Sequence, residues 1–166
     1  FMFMLGIAQG MQPIVGYNYG ARAMDRVRQA FKICSSTNFG IGAFVTIVAV
    51  VAPGLIASLF TSSPEMIEAS AHALRLCLYG FAFVGFQVTA TQFFQSIGFG
   101  GKALLLSLSR QILFLLPALF LFPLLWGSTG VWLAMPFSDI AAGVLGMILM
   151  YYQFKIFDRK FSSEGL

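Results

Sequence analysis

The chain has 166 residues, of which 58% are hydrophobic and 10% charged, and its formal net charge is +4. Ordinary soluble domains carry roughly 25% charged residues, so a water-soluble globule is excluded: one core of this size cannot hide so much apolar surface. The basic residues sit in the gaps between apolar runs, where they read as membrane topology signals and not as a nucleic-acid surface.

The sequence opens inside an apolar run, with no initiator Met, basic leader or small-residue cleavage site. Residues 1 onward are therefore not read as a signal peptide, and the chain is read as a fragment of a longer protein. The first hydrophobic span covers about 1–19. It closes in Gly16-Tyr17-Asn18-Tyr19-Gly20-Ala21-Arg22, a small-residue turn followed by Asp25, Arg26, Arg28 and Lys32. That is how a membrane helix reaches the cytoplasmic surface. Gly16 and Gly20, four apart, are expected to let a neighbouring helix come close, with Gly20 at φ > 0 as the helix cap.

The second span, about 33–52, is expected to stop at Pro53-Gly54. In the gap beyond it, Ser63-Pro64-Glu65 reads as an N-cap, a first-turn proline and an acid at the positive helix end. From there the pattern runs unbroken to Gly98, which is too long for one crossing, so the first turns should lie outside the hydrocarbon. Met66, Ile67 and Leu74 then face the membrane surface, and Glu65, Glu68 and His72 face water. His72 reads as a solvated surface histidine in preference to a proton relay.

The third span, about 76–98, carries Gly80, Gly85, Gln87, Thr89, Thr91, Gln92, Gln95 and Ser96 over a broad polar and small face. Phe83, Phe86, Phe93, Phe94 and Ile97 crowd the other arc and are expected to face lipid. Gln87, Thr91 and Gln95 are candidates for a substrate or ion pathway, because neutral amides suit a pore that passes varied solutes. Interhelical hydrogen bonding explains them equally well. Cys34 and Cys77 have no metal-ligand spacing and fall at opposite ends of their spans, so each is read as a small packing residue.

The fourth span, about 104–126, contains Pro117 and Pro123. Arg110 lies near its start. It either snorkels to the surface or is the buried partner of an acid, and snorkelling is the preferred reading. The fifth span, about 131–154, contains Asp139, about eight residues in and near mid-membrane. A charge there costs at least ~2.5–3.5 kcal/mol, so it should not face lipid. Pro136, Gly143 and Gly146 share its helical face, which marks a helix–helix contact. Asp139 is either a proton or cation site or an acid held by donors such as Ser138, glutamines or Arg110.

None of the spans alternates, so a β-barrel is not expected. Prolines such as Pro13, Pro117 and Pro136 are tolerated where neighbouring helices satisfy the freed carbonyls. The expected fold is all-α, a polytopic membrane bundle of five transmembrane helices, each near the ~20 residues that cross ~30 Å of hydrocarbon. The first gap, the third gap with Lys102, and the tail with Lys155, Arg159 and Lys160 are basic. The positive-inside rule places these three in the cytoplasm. No metal site or cofactor is expected, and no catalytic set lies at one depth, so an enzyme is not expected.

Several runs resemble the multidrug and toxic compound extrusion (MATE) family. They are Gly16 to Arg22 with Asn18; Ser63-Pro64-Glu65; Phe94-Gln95-Ser96-Ile97-Gly98 with Lys102; Leu106-Ser107-Leu108-Ser109-Arg110-Gln111; and Gly130-Val131-Trp132 with Pro136 and Asp139. The resemblance implies the last five helices of a C-terminal lobe, with the N-terminal bundle of the same chain as partner. It also implies small-molecule substrates, a bacterial inner-membrane location, and export of cationic or amphipathic compounds in exchange for Na⁺ or H⁺. A lipid-linked saccharide flippase of the same superfamily and a non-transporting scaffold are the alternatives.

Overall fold

In the computed structural model the described residues, 1–162, form helices joined by short turns, with no strand among them, and side chains are described as far as Arg159. The elements are α1 (Met2–Gly20), α2 (Met24–Val51), α3 (Pro53–Ser58), α4 (Pro64–Cys77), α5 (Phe81–Ser96), α6 (Gly100–Leu108), a π segment (Ser109–Leu115), α7 (Leu116–Trp126) and α8 (Ser128–Ser162). The Lys160 side chain, one of the expected tail cations, lies outside the described residues.

Three helical stretches are long and apolar enough to cross a membrane: Met24–Val51, Gly100–Trp126 and Ser128–Arg159. A fourth is the pair α4 and α5, taken as one span bent by 48°. α1 coincides with the first expected span; it carries Gln9, Gln12 and Asn18 and is not among these stretches. α2 starts earlier than expected, because Asp25 to Lys32 form its first turns and not a loop.

The expected unbroken helix from Ser63 to Gly98 is corrected at Leu78–Gly80, where it breaks and bends. A neighbour comes close at this point. A Cβ on Gly80 would stand 2.9 Å from the Pro136 carbonyl oxygen and 3.1 Å from Asp139 Cβ, so α8 presses against the chain there. The carbonyl of Leu78 accepts a 2.8 Å hydrogen bond from the Thr46 hydroxyl of α2. The same carbonyl also accepts the Phe81 N–H at 3.2 Å, so this backbone acceptor at the bend is satisfied inside the protein, as an apolar solvent demands.

The π segment has an equally local origin. Pro117 has no N–H to donate, and its ring crowds the carbonyl four residues back. The preceding turn widens, and Leu116 N–H bonds to the Gln111 carbonyl, five residues back.

α5 is the central helix, packed on α1, α2, α6 and α8. That surrounds it and corrects the expected lipid-facing arc: Phe93 and Phe94 are fully buried. Phe93 lies 5.2 Å from Phe31 of α2 and 5.7 Å from Phe154 of α8, ring centre to ring centre. Lipid tails are as apolar as these rings, so close packing and not escape from water holds them. On the opposite arc Gly85 lets α5 touch α2, since a Cβ there would meet the Asn38 carbonyl oxygen at 2.4 Å.

The basic segments converge. Arg28 pairs with Asp158 and lies 5.3 Å over the Phe154 ring, and Lys102 Nζ donates to Gln153 Oε1 at 2.6 Å. The start of α2, the α5–α6 turn and the end of α8 therefore share one end of the bundle.

Candidate functional site

The site is a cleft between α1, α5 and the π segment, with a volume of about 250 Å³. Gln87, Thr91, Gln92 and Gln95 of α5 line it, with Ser107, Arg110 and Gln111 opposite and Phe1, Leu5 and Val88 as apolar wall. Three of the polar α5 residues, spaced four apart, fall on one helical face, so the sequence periodicity brings them to one wall. The structure thus unites four expected pathway residues: Gln87, Thr91, Gln95 and Arg110.

The amides are oriented by neighbours. Gln12 Nε2 donates to Gln92 Oε1 at 2.5 Å and to Gln95 Oε1 at 3.2 Å, tying α1 to α5. Gln87 Nε2 donates to the Leu106 carbonyl at 2.7 Å, and the Thr91 hydroxyl donates to the Gln87 carbonyl at 2.9 Å.

Asp139 stands behind this wall. It is buried, as the small-residue face implied, and Gly143 beside it meets Phe83 of α5. Arg110 Nε donates to Asp139 Oδ1 at 2.7 Å, which overturns the snorkelling reading of Arg110. The physical reason is the π segment: Arg110 lies in its first turn, and that segment packs on α8. An unpaired Asp139 in that interface would carry the full cost of a buried charge.

The turn after α1 also departs from expectation. Gly20 is not at positive φ and a Cβ there would meet nothing within 4 Å. Arg22 takes the left-handed conformation instead, at φ 58°. Ala23 N–H bonds to the Asn18 carbonyl and Arg22 N–H to the Tyr19 carbonyl, a Schellman closure with an arginine at its C′ position. Asn18 is buried, its side chain bonded to the Ile14 carbonyl at 2.8 Å. Gly16 does make its close approach, with the Ser96 carbonyl oxygen 3.3 Å from a Cβ position. Among the described residues no group of three or more His, Cys, Asp or Glu side chains is placed to hold a metal ion. Cys34 and Cys77 are unbridged, and His72 is exposed.

The MatE family model matches residues 1–121, well over half of the chain. The chain belongs to the MatE family. This MatE chain is 23% identical over 150 residues to the multidrug export protein MepA of Staphylococcus haemolyticus, and 22% identical over 160 residues to MepA of Staphylococcus aureus. Each match covers 90% of the chain and 33% of the relative, so the chain spans about a third of their length. Among solved structures it is similar to the MATE multidrug transporter DinF-BH, solved in complex with R6G. The TM-score is 0.84 at 35% identity, over 93% of this chain and 34% of that one. An inward-facing MATE family transporter shares the fold at TM-score 0.86 and 22% identity, over 94% of this chain and 37% of that one.

The sequence reading missed several residues in and around the cleft. Gln12 is one of three amide residues in α1, with Gln9 and Asn18, and nothing in the sequence sets it apart from the other two. Ser107 ends up on the cleft from α6, and Gln111 follows Arg110 in the π segment, whose widened turn follows from Pro117. Asn38, fully buried, donates to the Met4 carbonyl at 3.0 Å and to the Thr89 hydroxyl at 2.9 Å, joining α1, α2 and α5.

Proposed function

We propose that this chain is part of a secondary active multidrug efflux transporter that exports amphipathic compounds by alternating access in exchange for Na⁺ or H⁺. It works there as the last five helices of a C-terminal lobe, beside an N-terminal bundle of the same chain. It sits in a bacterial inner membrane with the basic end and the C-terminus in the cytoplasm.

The observation that carries the reading is the cleft itself. Amides and hydroxyls line it, and its one charged lining residue, Arg110, is paired with Asp139. Neutral donors and acceptors bind varied solutes without trapping any, which an efflux route requires. Rocking of two units about a shared site is the general route by which such bundles expose that site to each side in turn. A saccharide flippase handling diphosphates would need more cations in this cleft.

The test uses the full-length protein in bacterial cells stripped of their own drug pumps. Ethidium accumulation should fall on expression and recover when either the Na⁺ or the H⁺ gradient is collapsed. Accumulation unchanged by expression would end the efflux reading, and efflux insensitive to both gradients would end the antiport reading. The 166 residues alone should not export, because the second unit is lacking.

A further inference from the structure

We propose that the seam between α1 and α2 binds an anionic phospholipid, with Arg26 on the headgroup phosphate and one acyl chain laid along the groove below it. The proposal needs only that α2 crosses the membrane. It is separate from what the cleft beside α5 carries.

α1 and α2 are joined by a short turn and pack side by side, running in opposite directions. Between them lies a groove of about 500 Å³ that shares no residue with the cleft. The small residues Gly10, Ala30 and Cys34 hollow it out, and a Cβ on Gly10 would meet nothing within 4 Å. Ile7, Met11, Ile14 and Ile33 form its apolar walls, and Ile14 and Ile33 are more than half exposed. The groove runs from Asn18 and Arg26 at one end to Ile7 and Thr37 at the other, about 16 Å along each helix.

Depth decides the occupant. α2 has 28 residues and is about 42 Å long, close to the ~40–45 Å of a bilayer with its headgroup layers. Arg26 is the third residue of α2 and so lies at headgroup level. From there the groove crosses most of the roughly 20 Å of one leaflet. A cation among the phosphates with an apolar trough below it fits one lipid, headgroup and chain together. A protein helix laid in the same groove would have to bring its own acid to Arg26.

Charge selects the headgroup. Arg28 and Lys102, at the same end of the bundle, are committed inside it, to Asp158 and to Gln153. Arg26 is exposed, lines the groove and makes no hydrogen bond or ion pair among the described residues. Its planar fork suits two oxygens of one phosphate. Gln29 lines the same end and adds an amide N–H. None of the described lining residues is acidic, so nothing in the groove opposes an anion. A headgroup of net negative charge is therefore favoured over one that carries an ammonium beside its phosphate.

A second groove supplies the control. Phe137, Val144 and Ile148 line an apolar groove of about 440 Å³ beside α8, with no charged residue in it. Full-length protein in a maltoside detergent is irradiated with phosphatidylglycerol carrying a diazirine midway along one chain, and the adducts are mapped by mass spectrometry. Met11, Ile14 and Ile33 should be labelled in preference to Phe137, Val144 and Ile148. Unlabelled phosphatidylglycerol should compete at the α1–α2 groove at least about fivefold better than phosphatidylcholine, the scale of one basic side chain at an anionic surface. Arg26→Gln should lower labelling there by a similar factor and leave the α8 groove unchanged. Gly10→Leu fills the trough with Arg26 intact and should also block labelling.

Equal labelling of the two grooves means bulk lipid only and overturns the proposal. Labelling that survives Arg26→Gln overturns it as well. Absence of labelling between α1 and α2 would mean that another helix or a second copy covers the groove, with the same consequence. Displacement by glycerol phosphate, which has no chains, would assign Arg26 to a soluble phosphate and end the lipid reading. If the variants do not fold, the wild-type comparison of the two grooves and the two competitors decides alone. Export enters none of these measurements, so the efflux reading and this one fail independently.

Discussion

Arg110 and Asp139 are 29 positions apart in sequence and 2.7 Å apart in space, and their contact fastens the π segment to α8. The pair is lopsided, with the acid almost wholly enclosed and the base partly open to the cleft. Removing either member therefore has a different cost.

Arg110→Gln strands Asp139 in the interface and should destabilise by about 3–5 kcal/mol. Asp139→Asn leaves a guanidinium that reaches the cleft, so its cost should fall below that range. The double variant should recover much of the loss. Thermal unfolding of the three purified proteins gives the order. Equal losses for both single variants would contradict the lopsided burial.

Glycines divide sharply by what surrounds them. A Cβ at Gly85 would meet the Asn38 carbonyl oxygen at 2.4 Å, whereas at Gly10 or Gly20 nothing lies within 4 Å. Gly85→Ala should cost about 1–3 kcal/mol by forcing α5 off α2. Gly10→Ala should be neutral or stabilise by about 0.5–1 kcal/mol. Gly20→Val should keep folded yield. Size-exclusion profiles after heating separate them.

Arg22 occupies the left-handed region at φ 58°, where a side chain costs about 1–2 kcal/mol. Comparing Arg22→Gly with Arg22→Ala cancels the loss of the arginine side chain. The glycine variant should be the more stable by about 1 kcal/mol. An alanine variant as stable as the glycine one would show that the turn relaxes to another conformation.

Topology is tested by single cysteines in a background lacking Cys34 and Cys77. Asp25 and Lys155 lie on the basic end, and Ser63 precedes α4, beyond the far end of α2. An impermeant reagent applied from outside should label a cysteine at Ser63 and spare those at Asp25 and Lys155. The opposite pattern would invert the orientation.

The sequence by itself determined the solvent and the fold class. A chain with 58% hydrophobic residues has to bond its own backbone, and helices do so locally, span by span. It also determined the direction of Asp139, because Pro136, Gly143 and Gly146 share its face and a charge is expelled from lipid. The convergence of Gln87, Thr91 and Gln95 on one wall followed from their spacing in the same way. Tertiary structure alone decided three things. Phe93 and Phe94 turn out to be core, because α5 is enclosed by four neighbours and a helix's own periodicity does not count them. The break at Leu78–Gly80 falls where α8 comes close, an approach that only the missing Cβ of Gly80 permits. Arg110 meets Asp139 because Pro117 widens the turn before it and the π segment packs on α8. In each case the deciding partner lies on another element, and a periodic pattern along one helix carries no record of it.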